Sequence, residues 1–102
     1  MESVAILGAT GSIGKSSLDV ISRYPDRFTV YAVTANSSVK KLAQAAKDSG
    51  AKVAVIADKE LLGALQDELK AAGSRAQALA GAKAIDEIAS SPEVDIVIGA
   101  IV

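Results

Sequence analysis

Three glycines, Gly8, Gly11 and Gly14, follow the spacing G-x-x-G-x-x-G and carry the clearest chemistry in the sequence. They come directly after the apolar run at residues 4–7 and before a helical pattern that begins near Ile13. A helix N-terminus has backbone N–H groups without partners and about half a positive charge, so it both binds and attracts a phosphate. The order of strand, glycine turn and helix therefore predicts a dinucleotide-binding loop.

Each glycine has a separate predicted role. Gly8 can adopt the backbone angles of the turn that leaves the strand. Gly11 lets a pyrophosphate approach without a Cβ in its way, and Gly14 lets the helix pack closely against the strand. The alternative is a strand–helix turn that uses its glycines for packing alone.

The second region whose residues could bind a ligand is the end of the second predicted strand. In NAD-binding domains an acidic residue about 20 positions after the glycines bonds the ribose 2′-hydroxyl. This sequence has no carboxylate there, and Asn36, Ser37 and Ser38 can donate hydrogen bonds to a phosphate. Lys40 or Lys41 could add charge. The pattern favours NADP(H) over NAD(H). The alternative is that these residues only cap a helix and that Lys40 and Lys41 belong to a solvated face; the two interpretations are compatible.

The elements that position these residues alternate along the chain. The apolar patterns predict strands at residues 3–7, 28–34, 53–57, 76–79 and 96–98, and helices at residues 13–23, 39–49, 59–72 and 82–90. This alternation predicts an α/β fold, a Rossmann-type doubly wound parallel sheet with helices on both faces. The first two strands should be parallel neighbours joined by a right-handed crossover.

Local signals set the faces and ends of the predicted helices. In the first helix Ile13, Ser17, Leu18 and Ile21 are expected to share one face. Pro25 stops that helix, because the residue before a proline is pushed out of the helical region. The remaining expected signals are an N-cap at Ser37 or Ser38, a cap at Asp58, and stops at Gly50 and Gly73.

Composition narrows the class of protein. A chain of 102 residues is one domain at most, and its apolar half contains only three aromatic residues. The net charge of −1, with dispersed Lys and Arg, does not suggest nucleic-acid binding. The absence of Cys and His excludes disulfides, thiolate chemistry, a histidine base and the usual zinc ligands within this chain. No apolar run approaches a membrane span and no secretory leader is recognised, so we expect a cytoplasmic protein with no membrane partner.

Catalytic groups are not predicted in this chain. A short-chain dehydrogenase needs a Tyr with a Lys four residues later, but Phe28 follows Tyr24 at that place and Ala35 follows Tyr31. No Ser has a His partner, and the carboxylates of the third predicted helix belong to an exposed face. The sequence therefore predicts no catalytic residue and no metal ligand between residues 1 and 102. Because it ends on an apolar strand, we expect the dinucleotide-binding domain at residues 1–102 to be truncated from a longer enzyme; the alternative is a complete small domain.

Beyond the glycines, residues 5–14, residues 17–20, Pro25 and Phe28 together resemble the N-terminus of the 1-deoxy-D-xylulose 5-phosphate reductoisomerase family. The closing residues 100–102 resemble that family's segment before its next glycine turn. The resemblance covers essentially the whole chain. Other NADP reductases, such as semialdehyde dehydrogenases, share the glycine pattern of residues 8–14 but not the segments after it.

The resemblance implies an NADPH-dependent oxidoreductase of non-mevalonate isoprenoid biosynthesis. The family isomerises the phosphosugar 1-deoxy-D-xylulose 5-phosphate and reduces the product to 2-C-methyl-D-erythritol 4-phosphate. It needs Mg²⁺ or Mn²⁺, is usually a homodimer and is inhibited by fosmidomycin. Its metal ligands and substrate loop lie further along than Val102, so we expect this chain to be inactive alone.

The resemblance also implies the cofactor contacts. They are Thr10, Gly11, Ser12 and Ile13 at the pyrophosphate, within the loop bounded by Gly8 and Gly14; Ala35, Asn36, Ser37 and Ser38 at the 2′-phosphate; and Ala100 and Ile101 along the nicotinamide half. The family's turn often contains a basic residue, which is missing here. Two other hypotheses stay open, namely a stand-alone NADP(H)-binding regulatory module and the cofactor domain of another NADP-dependent reductase.

Overall fold

In the computed structural model, which describes residues 1–99, five strands alternate with four α-helices. The strands are β1 (Glu2–Leu7), β2 (Phe28–Ala35), β3 (Val53–Ile56), β4 (Gln77–Ala80) and β5 (Ile96–Gly99). The helices are α1 (Ser12–Ser22), α2 (Val39–Ser49), α3 (Leu62–Ala72) and α4 (Ala82–Ala89). These bounds lie within one or two residues of the predicted ones, except that α3 begins later.

All strand pairs in the sheet are parallel, and the strand order is β4-β3-β2-β1-β5. Apolar residues of α1, α2 and α3 pack with one face of the sheet, while those of α4 pack with the other. Right-handed crossovers explain this division. The connections from β1 to β2, β3 and β4 all move in one direction across the sheet, so α1, α2 and α3 lie on one face. The connection from β4 to β5 crosses back past β1, so α4 lies on the other face. The predicted doubly wound parallel sheet is confirmed, and its strand order reverses beside β1.

The core is built from aliphatic side chains on both sheet faces. Its largest fully buried members include Ile6, Leu42, Ile56 and Leu65. The inward face of α2 consists of Leu42, Ala43 and Ala46, which are buried. Burial of apolar surface holds α2 against the sheet, and it stabilises the folded state by about 25 cal/mol per Å² of apolar surface buried.

The predicted inward face of α1 is wrong at one position. Ile13 is 55% exposed, whereas Leu18 and Ile21 pack against the core. The residue of the first turn that meets the sheet is Gly14, which is buried. Gly14, Leu18 and Ile21 stand at positions i, i+4 and i+7, the spacing of one helix face, and Ile13 lies about 100° away from Gly14.

The helix ends follow the predicted signals with two differences. Gly50 and Gly73 end α2 and α3 in the left-handed conformation, with φ of 69° and 78°. Asp58 caps as predicted, accepting a hydrogen bond from the Glu60 N–H at 3.0 Å, but it starts a 3-10 turn at Lys59–Leu61 before α3 begins. Ser38 occupies the N-cap position of α2, yet its side chain makes no capping hydrogen bond.

Each helix of the described region contains 11 residues or fewer. Between residues 1 and 99, therefore, none is long and apolar enough to cross a membrane.

Candidate functional site

The glycine loop leaves β1 through Gly8, whose φ is +82°. This left-handed conformation strains any residue with a Cβ, whereas glycine adopts it freely. The predicted role of Gly8 in the turn is confirmed.

Gly14 brings α1 against the loop. A Cβ added at Gly14 would lie 2.6 Å from the Ala9 Cα and closer still to the Gly8 carbonyl oxygen. Real side chains essentially never approach backbone atoms so closely, so only glycine permits this packing. The predicted role of Gly14 in close helix–strand packing is confirmed.

Gly11 differs from the other two glycines, because the fold does not require it. Its φ of −80° and ψ of 174° are extended backbone that any residue adopts. A Cβ added there would have the Gly8 carbonyl oxygen at 3.8 Å as its nearest neighbour, an ordinary van der Waals distance. The space beside Gly11 is therefore open, as close approach of a ligand would need.

The N-terminus of α1 presents backbone donors to that open space. Gly11 is the N-cap and provides no side-chain capping bond, and the first turn contains no acidic residue. The first helical N–H that finds an acceptor is that of Lys15, which donates to the Gly11 carbonyl at 2.9 Å. Among residues 1–99, the N–H groups of Ser12, Ile13 and Gly14 have no hydrogen-bond acceptor. Such donors, together with the helix dipole, form an anion-binding site.

Thr34 holds the loop in place, and sequence reasoning did not identify it. Its side-chain oxygen accepts a hydrogen bond from the Gly8 N–H at 3.1 Å, and its carbonyl accepts one from the Ala9 N–H at 2.8 Å. Thr34 is only 1% exposed. The available signal was a threonine between the apolar residues Val33 and Ala35 at the end of the second predicted strand.

The turn after β2 provides the second half of the candidate site. Asn36, Ser37 and Ser38 are exposed, whereas Ala35 is buried and belongs to β2. The Ala35 carbonyl accepts a hydrogen bond from the Ala57 N–H at 2.8 Å. The predicted turn contacts are therefore divided: three side chains face solvent, and the fourth packs in the core.

The sheet brings the loop and the turn together. β1 and β2 are parallel neighbours, so both segments emerge at the same edge of the sheet. Ile13, exposed at the first turn of α1, and Thr10, half-buried in the loop, also lie at this edge. The predicted contacts Ala100 and Ile101 lie outside the described residues.

Metal-ligating side chains are dispersed in the part of the chain that the structure describes. Between residues 1 and 99, no three His, Cys, Asp or Glu residues come together in a group that could hold a metal ion.

Comparisons with known proteins point to one family. A family model described as 1-deoxy-D-xylulose 5-phosphate reductoisomerase matches residues 4–102. A protein of that name from Cellvibrio japonicus (strain Ueda107) is 46% identical over 101 residues, which cover 99% of this chain and 25% of the relative. Another, from Janthinobacterium sp. (strain Marseille), is 47% identical over 102 residues, 100% of this chain and 26% of the relative. The chain thus spans about a quarter of the length of these relatives.

Solved structures agree with the sequence comparison. The chain is similar to 1-deoxy-D-xylulose 5-phosphate reductoisomerase from Zymomonas mobilis in complex with NADPH, with a TM-score of 0.88 and 51% identity over 98% of this chain and 26% of that one. It is also similar to a DOX-P reductoisomerase in complex with NADPH, fosmidomycin and magnesium, with a TM-score of 0.90 and 37% identity over 99% of this chain and 24% of that one.

Proposed function

Because the chain belongs to the 1-deoxy-D-xylulose 5-phosphate reductoisomerase family, we propose that residues 1–102 are the NADPH-binding domain of such an enzyme. The complete enzyme isomerises 1-deoxy-D-xylulose 5-phosphate and reduces the product to 2-C-methyl-D-erythritol 4-phosphate, within non-mevalonate isoprenoid biosynthesis. The match of this chain to about a quarter of its relatives supports its place as one part of a longer polypeptide.

The observation that carries this proposal is the open space at Gly11. The fold accounts for Gly8 and Gly14, but no backbone angle or packing contact accounts for a glycine at position 11. The N–H groups of Ser12 and Ile13, without acceptors among residues 1–99, stand beside it. A pyrophosphate accounts for both features, because it needs close backbone approach and several donors.

In this mode of binding, the chain orients the dinucleotide by its two ends. The first turn of α1 donates N–H groups to the pyrophosphate, and Thr10 and Ser12 add hydroxyl groups at the same place. Asn36, Ser37 and Ser38 face the 2′-phosphate of the adenosine, while Ala100 and Ile101 follow the nicotinamide half. When bound, NADPH supplies the hydride for the reduction.

Other parts of the proposal concern the complete enzyme. Its Mg²⁺ or Mn²⁺ ligands and its phosphosugar-binding residues belong to the portion of the family's length that this chain does not span. We further propose that the complete enzyme is a cytoplasmic homodimer, as the family resemblance implies. The present chain then binds NADPH without turning over a substrate.

The full-length protein provides the direct test. It is incubated with NADPH, 1-deoxy-D-xylulose 5-phosphate and Mg²⁺, and oxidation of the nicotinamide is followed by absorbance, with a chelator as the control. We expect oxidation that depends on both the phosphosugar and the metal. Binding of NADPH without any such oxidation would favour a regulatory NADP(H)-binding module instead, and oxidation with a different substrate would indicate another NADP-dependent reductase.

A further inference from the structure

An apolar groove of about 560 Å³ runs along α1 beside β5. β1 contributes Val4 to its lining, β5 contributes Ile96 and Ile98, and α1 contributes Ile13 and Val20. No charged side chain is among the described residues that line it. We call this feature the α1–β5 groove.

The groove lies where the helix layer on one face of the sheet is incomplete. The helices α1, α2 and α3 connect β1 to β4, so within residues 1–99 none of them lies over β5. Ile96 and Ile98 pack with the core of that face but stay half-buried, and Val20 is 51% exposed. Parallel sheets have both faces covered by helices. This apolar surface therefore needs a further cover.

A dinucleotide at the glycine loop would cover only one end of the groove. The lining runs from Ser12, where α1 begins, to Phe28, where β2 begins, and these residues lie at opposite edges of the sheet. The 11 residues of α1 span about 16 Å. Ser12 and Ser16 stand one turn apart and are small, so another helix can approach α1 closely. The length and the apolar lining fit a helix better than a phosphate-bearing ligand.

The size of the groove favours an element of the same polypeptide over a second copy of it. Ten residues line the groove, whereas a stable protein interface uses about 20–30 residues on each side. A covalently linked element docks at high effective concentration, so a small surface suffices. The relatives have room for such an element, because this chain spans only 25% and 26% of two of them.

The connection that follows β5 is not the expected occupant. The chain runs from β4 through α4 toward the β5 edge of the sheet, and α4 packs on the face opposite α1. A further strand beside β5 would continue in the same direction, so a right-handed crossover places its helix on the α4 face as well. Val97 offers apolar surface there, since it is 41% exposed and alternates with Ile96 and Ile98 along β5. The α1–β5 groove is then left for an element later in the chain.

We propose that the α1–β5 groove is the docking site for an α-helix of the full-length polypeptide, one that comes later in the chain than the first connection after β5. This inference rests on the proposed function, in which residues 1–102 are one part of a longer enzyme. The docked helix buries Ile13 and Val20 and lies against the first turn of α1. It thereby joins a later part of the polypeptide to the anion-binding end of the cofactor domain.

The test uses a photoreactive diazirine analogue of leucine, which differs little in size from valine. It is placed in the full-length protein at position 20 or at position 97, with the exposed position 67 of α3 as the control. After illumination, crosslinked peptides are identified by mass spectrometry. From position 97 we expect a crosslink to the segment directly after Val102, and from position 20 an intramolecular crosslink to a peptide later in the chain. Position 67 should give no defined peptide product.

Three results would overturn the inference. They are a crosslink from position 20 to the segment directly after Val102, a product of two linked copies from position 20, and the absence of any peptide product from position 20. The second would assign the groove to a dimer contact, and the third would show that it stays open. Oxidation of NADPH by the unsubstituted protein is measured in parallel. Its absence counts against the proposed function, whereas the crosslinks alone decide the present inference.

Discussion

The side-chain oxygen of Thr34 accepts a hydrogen bond from the backbone N–H of Gly8 at 3.1 Å, and this bond joins the ends of two neighbouring parallel strands. Gly8 is also where the chain turns sharply out of β1, with φ of +82°. The loop is therefore fixed by the end of β2 before any ligand binds. Because a fixed loop loses less conformational freedom on binding, this contact contributes to affinity as well as to stability.

Replacement of Thr34 by Val should separate these two contributions. Thr34→Val keeps the shape but leaves the Gly8 N–H without its acceptor, and we expect the free energy of unfolding to fall by about 1–2 kcal/mol. NADPH affinity should fall several-fold because the loop is less well held. Thr34→Ser is the control: it loses about 1 kcal/mol with the buried methyl group but keeps the acceptor and the affinity. Urea denaturation and calorimetry measure both quantities, and equal affinities for Val and Ser would contradict the role of the hydroxyl.

Gly14→Ala should damage the packing between α1 and the loop. The new Cβ would overlap the Gly8 carbonyl and the Ala9 Cα, so we expect a loss of about 1–3 kcal/mol or more in the free energy of unfolding. Gly63→Ala is the matched control, since nothing lies within 4 Å of its added Cβ and the position is in helix α3. That substitution should stabilise by about 0.5–1 kcal/mol. A similar effect of both substitutions on the urea midpoint would refute the packing role of Gly14.

The two polar caps should respond differently to truncation. Asp58→Ala removes the bond to the Glu60 N–H and should destabilise by about 1 kcal/mol, with no effect on cofactor binding. Ser38→Ala removes a hydroxyl that makes no capping bond, so we expect little change in stability but weaker NADPH binding. Thermal unfolding with and without NADPH distinguishes the two. If Ser38→Ala destabilised the chain as much as Asp58→Ala, the hydroxyl would belong to the helix rather than to the ligand.

Much of the fold could be predicted from the sequence because its signals are local. Apolar strands bounded by turns, and left-handed glycines at Gly50 and Gly73, set the bounds of the elements within one or two residues, except for the start of α3. The handedness of crossovers then set parallel pairing and the two helix layers. The strand order beyond the first two strands was not accessible, because it depends on which buried faces meet rather than on local propensity.

The site was predicted less completely than the fold, for identifiable reasons. Gly8 and Gly14 could be assigned roles because their neighbours in sequence are also their neighbours in space. Thr34 was missed, since its partner Gly8 is 26 residues away and the contact depends on strand register. Ile13 was assigned to the buried face because the periodicity of α1 does not show that a glycine, Gly14, is the residue that meets the sheet.

The central claim is that the glycine loop binds a dinucleotide through the open space at Gly11, and Gly11→Val tests it most directly. Position 11 has extended backbone angles, and its added Cβ meets only the Gly8 oxygen at 3.8 Å, so the folded chain should tolerate valine with a loss of no more than about 1 kcal/mol. The larger side chain fills the space that a pyrophosphate would occupy. Calorimetric titration with NADPH should therefore show at least about a tenfold weaker affinity for Gly11→Val than for the unsubstituted chain, with nearly coincident urea midpoints. An unchanged NADPH affinity in a folded Gly11→Val protein would contradict the account.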